Sequence, residues 1–80
     1  MTRFMDVHHG MQGITAEQLR ETGRAIGKEE GVRVEHAWAD PDTGTVYCLS
    51  EAPSAEAVQR AHERSGSSAP DEIHPVPLTV

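Results

Sequence analysis

Cysteine occurs once in the 80 residues, and so do tryptophan, tyrosine and phenylalanine. A lone thiol excludes an internal disulfide and any paired CxxC metal cluster, and it suits a reducing compartment. With so few aromatics and 36% apolar residues the core is lean. At this length a single core is only just sufficient, so burial against a second copy is expected. Basic residues are scarce too: 7 Lys and Arg face 13 Asp and Glu, for a net charge of -6. That balance argues against nucleic acid or an anionic membrane as partner, because both need clustered Lys and Arg. No apolar run is long enough to cross a bilayer, and no basic segment leads into an apolar one, so the cytoplasm is the expected location. What the chain does hold is five histidines among many carboxylates, a surface that favours cations. One domain is expected, spanning residues 1–80, with no internal repeat.

The most informative stretch is Val32 to Glu51, VRVEHAWADPDTGTVYCLSE. Two alternating runs flank a Pro-Asp-Thr-Gly turn, which reads as a β-hairpin. If the Pro41–Gly44 loop pairs Asp40 with Thr45, Trp38 faces Tyr47 and His36 faces Leu49 on one side. Ala37, Ala39, Val46 and Cys48 then share the other. Upstream, Arg3 to His9 has strand periodicity, with Met5 and Val7 expected on the core side. Thr15 and Gln18 form a capping box that opens a helix, which should run to about Glu30 with Gly31 as its stop. After the hairpin, Ser54 caps a second helix whose inward stripe is Val58, Ala61, His62 and Ser65, ended by Gly66. Asp71 to Val80 closes the chain as an extended segment, and its prolines confine it to a sheet edge. The order β-α-β-β-α-β predicts an α+β, ferredoxin-like sandwich: a four-stranded antiparallel sheet with both helices on one face and the other face open.

Alternation places Phe4, Asp6, His8, Val34, His36, Trp38, Tyr47 and Leu49 on that open face. The set is too apolar to stay wet, which points to a dimer interface or a ligand there. Asp6, His8 and His36 would converge as two imidazoles and a carboxylate, a donor set suited to nickel, copper, zinc or cobalt rather than magnesium or calcium. Solvated or structurally bonded histidines are the plain alternative. Cys48 and His62 form a second pair on the helix side, readable as softer metal ligands, as a nucleophile with its base, or as a buried thiol packed on a core histidine. Glu51 joins either arrangement or simply marks a strand end. His9 should point away from His8, and His74 should be exposed.

FMDVH in the first strand, HAWADPDTGTVYCLSEAPSAEAVQRAHERSG through the hairpin and second helix, and the closing DEIHPV together resemble a family of small bacterial ferredoxin-like proteins that are nickel-binding and nickel-responsive. The family was first catalogued as a domain of unknown function. The resemblance runs over nearly the whole chain, and YCLSEAPSAEAV is its most specific part. It implies a homodimer that binds Ni2+ and limits nickel toxicity by sequestration, buffering or sensing, with no enzymatic reaction. The competing expectation is a small-molecule-binding or catalytic dimeric barrel using the space under Trp38 and Tyr47 with His8 or His36 as acid-base.

Overall fold

Strand alternation and helix capping produce the expected element order in a computed structural model of the chain, which describes residues 2–29 and 31–80. The elements are β1 (Thr2–His8), α1 (Ala16–Gly27), β2 (Arg33–Asp40), β3 (Thr45–Ala52), α2 (Ala55–Arg64) and β4 (Glu72–Pro75). The strands form one antiparallel sheet in the order β2-β3-β1-β4. With two helices packed on it, this is the ferredoxin-like βαββαβ arrangement. Among the described residues no helix is long and apolar enough to cross a membrane.

Local chemistry sets the element ends. The Thr15 hydroxyl accepts from the Gln18 N–H while the Gln18 side chain accepts from the Thr15 N–H, completing the capping box. The helix expected to reach about Glu30 closes earlier, at Gly27 with Lys28 as its cap, and Glu30 itself lies outside the described residues. Ser54 accepts from the Ala57 N–H at the start of α2. The final strand is shorter than the expected Asp71–Val80 segment. It spans only Glu72–Pro75 at the sheet edge, with one more backbone bond from the Val76 N–H to the Arg3 carbonyl. Pro75 and Pro77 lack the N–H that a longer ladder needs.

The hairpin register is as expected, with Asp40 opposite Thr45, Trp38 opposite Tyr47 and His36 opposite Leu49. The face of β1 is not. Phe4, Asp6 and His8 point toward the helices, opposite Ser50, Cys48 and Val46, and all three are buried. Met5 and Val7, expected in the core, lie on the open face opposite Leu49 and Tyr47. Either setting of this strand offers apolar residues to the core, since Phe4 competes with Met5 and Val7, and a one-residue shift exchanges the faces. Phe4 wins by packing with Ile26, Val32, Ala52 and Val58. Val34 also departs from expectation. It pairs with Ser50 while His36 pairs with Leu49, so Glu35 is an extra, bulged residue. Val34 therefore packs on the core, and His36 and Trp38 stay outside. A second apolar cluster, Ile14, Val46 and Cys48, fills the other end of the helix-facing side.

Candidate metal centre

Between these two apolar clusters the sheet carries a line of buried polar side chains. Asp6 and His8 leave β1 on the helix side because they are two residues apart. Cys48 stands directly opposite Asp6 on β3. His62 reaches the same place from the inward stripe of α2, where Val58 and Ala61 are also buried. Asp6, Ser50 and His62 have no exposed surface, and His8 and Cys48 almost none.

The hydrogen-bond pattern is incomplete in an informative way. His8 Nε2 lies 2.9 Å from Asp6 Oδ1 and donates to it. The Val58 carbonyl accepts from His62 Nδ1 at 2.8 Å, so the proton of a neutral His62 is on Nδ1 and its Nε2 carries a lone pair. That lone pair lies 3.7 Å from Asp6 Oδ1 and has no hydrogen-bond partner. Asp6 Oδ2 and Ser50 Oγ are buried without partners as well. Buried polar atoms left without partners are costly in a low-dielectric interior unless a cation or proton meets them. The His8 and His62 rings are tilted against each other with centroids 5.1 Å apart.

Asp6, His8 and Cys48 each present a ligand atom within 4.8 Å of the others. Carboxylate oxygen, imidazole nitrogen and thiol sulfur form a mixed donor set that fits a borderline divalent transition ion better than a hard one. Burial, first, and then the neighbouring Asp6 carboxylate push the Cys48 thiol up to about 12. Without a metal, Cys48 is therefore a protonated thiol, and a bound cation would have to displace that proton. A cavity of about 250 Å³ leads from the surface to His8 and Cys48, passing Leu19 of α1 and the Gly66–Ser68 loop.

The structure thus divides the residues singled out by sequence. Asp6 and His8 meet Cys48 and His62, not His36. His36 is exposed on the opposite face, stacked on Trp38 with ring centroids 5.5 Å apart. Glu51 also belongs to the open face, opposite Arg3 and Arg33. The expected Asp6-His8-His36 convergence is overturned by the true face of β1. Ser50 was not singled out. Its place two residues after Cys48 on one strand was the available signal, but a lone serine carries little weight without knowing that the site is buried.

Comparison with known proteins agrees with this architecture. A family model described as nickel responsive protein SCO4226-like matches residues 4–76. The crystal structure of SCO4226 from Streptomyces coelicolor A3(2) matches with a TM-score of 0.89 and 59% identity, covering 98% of this chain and 99% of that one. Comparison with the curated proteins gave no match.

Proposed function

The chain belongs to the SCO4226-like family of nickel-responsive proteins, and from that premise we propose that it binds nickel, or a related divalent transition ion, through Asp6, His8 and Cys48 with His62 as a further ligand. The observation that carries this reading is the set of buried acceptors without partners, Asp6 Oδ2 and His62 Nε2, beside three donor groups already gathered within 4.8 Å. A divalent cation would neutralise the carboxylate and a thiolate together, and it would use the His62 lone pair that the protein leaves bare. Imidazole must be neutral and the thiol deprotonated to ligate, so affinity rises with pH. The role is sequestration, buffering or sensing of the ion in the cytoplasm, where a single free thiol stays reduced. We place a second copy of the chain on the open face, where Trp38 and Tyr47 are 47% and 42% exposed.

A small-molecule role is less well supported, because the cavity reaching His8 and Cys48 is about 250 Å³, below the roughly 300–1,000 Å³ of ordinary ligand pockets.

Titration calorimetry with Ni2+ on protein free of any histidine tag tests the site. Asp6→Asn keeps an acceptor for His8 but removes the charge, and Cys48→Ser removes the soft donor. Each is expected to weaken the buried site at least ~10-fold, with Asp6→Asn melting no more than a few degrees below wild type because no unpaired charge is left behind. Nickel affinity unchanged in both variants would remove these residues from the site.

A further inference from the structure

β2 ends the sheet: β3 pairs with it on one flank, and among the described residues no strand pairs with the other. Such an edge carries a row of backbone donors and acceptors without ladder partners, and natural proteins commonly guard it with charges that repel a second strand. Here the charges do the opposite. The ladder with β3 runs from Arg33 to Asp40 and skips Glu35, which makes Ala37 its midpoint. Reversing the strand about Ala37 sets Arg33 against Asp40, Val34 against Ala39 and His36 against Trp38, so the pattern is its own complement. The bulge makes this match possible. In a regular strand Arg33 and Asp40, seven residues apart, would face opposite ways. With the extra residue, Arg33, His36, Trp38 and Asp40 all stand exposed on the open face, and Val34, Ala37 and Ala39 lie half-buried on the other. Glu35 itself is held by Arg3 at 3.1 Å, so the bulge adds no unpaired charge to the edge.

We propose that the outer edge of β2 recognises itself: the β2 of a second copy lies antiparallel against it, about a two-fold axis at Ala37, and the two sheets become one. A two-fold contact needs a single self-complementary patch, and every pair in it occurs twice. Arg33 is 77% exposed and reaches only Glu51, at 4.0 Å, within its own chain, which leaves its guanidinium for Asp40 of the partner subunit. The His36–Trp38 stack of each chain, with centroids 5.5 Å apart, meets the same stack reversed, ring beside ring. On the helix side only Val34 and two alanines adjoin the seam, so nothing bulky holds the strands apart. The axis also brings α1, which packs on β2, beside its counterpart in the reverse direction. Its exposed charges, Glu17, Arg20, Glu21 and Arg24, exchange sign when read backwards, as the ends of β2 do. This contact uses the edge of the sheet, whereas the pairing proposed above uses its open face. A strand edge offers little area, so it joins pairs of chains into fours only when the protein is concentrated.

Sedimentation velocity of tag-free protein from micromolar to millimolar concentration tests the contact, with a chelator present so that no ion links the chains. In ~0.15 M salt wild type is expected to pass from two chains to four as concentration rises. Arg33→Asp and Asp40→Arg each set like charges opposite one another, and each should raise the midpoint of that step at least ~10-fold. An equimolar mixture of the two variants should recover it, because each strand then opposes the sign it lacks. A second measurement leaves the charges alone. In a Cys48→Ala background, Ala37→Cys should cross-link to its counterpart under mild oxidation, since the axis brings the two Cβ atoms about 4.5–5.5 Å apart, and Ala39→Cys should not. A wild type that stays at two chains throughout, a mixture that associates no better than its components, or equal cross-linking at both positions overturns the edge contact and leaves the open-face pairing standing. A step from one chain to two that the charge variants abolish supports the edge contact and refutes the open-face pairing.

Discussion

Cys48 shows how placement changes one side chain's chemistry. Its folded-state pKa of about 12 lies above the 9.0 of an ordinary thiol. At pH 8 the metal-free protein should therefore react with an alkylating reagent two to three orders of magnitude more slowly, roughly, than the urea-unfolded chain, since only thiolate attacks. The sign of the linkage follows. A folded pKa above the unfolded one gives stability that is complete below about pH 9 and is lost as pH rises toward about 12. The stability difference between wild type and Cys48→Ala should accordingly shrink over that interval in urea titrations. A constant difference would mean that the thiol ionises equally in both states. His62 teaches a related lesson. Its inward position was legible from the helical stripe it shares with Val58 and Ala61, but its bare Nε2 was not, because only the fold brings the Val58 carbonyl onto Nδ1 and Asp6 opposite.

At the scale of elements, the hairpin tip and the loop before α1 form one clasp. Met11 and Gly13 donate their N–H groups to the carbonyls of Gly44 and Pro41, and the Gln12 side chain donates to the Thr43 carbonyl. Gly44 sits at φ +78°, and a Cβ there would come within 2.7–2.9 Å of Gln12 atoms, including its backbone nitrogen. Gly44→Ala should thus cost about 2 kcal/mol or more, from the left-handed backbone and the collision together, read as a fall in thermal midpoint. Gly23 is the opposite case. It lies inside α1 with ordinary backbone angles, and an added Cβ would only touch Val34 at 3.9 Å. Gly23→Ala should stabilise by about 1 kcal/mol, raising the midpoint by roughly 4–8 °C. The elements themselves were readable from sequence because turn and cap residues act over a few positions: Thr15 with Gln18, Ser54, and Pro41 to Gly44. The facing of β1 was not. Its Phe4-Met5-Asp6-Val7-His8 run offers apolar groups to both sides, and the choice is made by residues far along the chain such as Ile26 and Val58.

For the molecule as a whole, the sheet has one side closed by helices and one that carries Trp38, Tyr47, Met5 and Leu49. A second copy over that surface would bury both half-exposed aromatics. Light scattering should give twice the chain mass for wild type and a single chain mass for Trp38→Glu, with the helical circular dichroism of the two alike. A monomeric wild type would refute this pairing. The bulge at Glu35 is what allows one strand to serve both sides. Val34 lies in the core, and His36 and Trp38 emerge outside, because an additional residue resets the parity between them. The protein can therefore absorb a one-residue change of length at this point. Deleting Glu35 would make Val34 and His36 neighbours opposite Ser50 and Leu49, so a regular strand would still hold Val34 in the core and His36 and Trp38 outside. Losing a single peptide unit there would iron out the bulge and leave the surface as it is, whereas losing one from the regular part of the strand would turn the residues beyond it onto the opposite face.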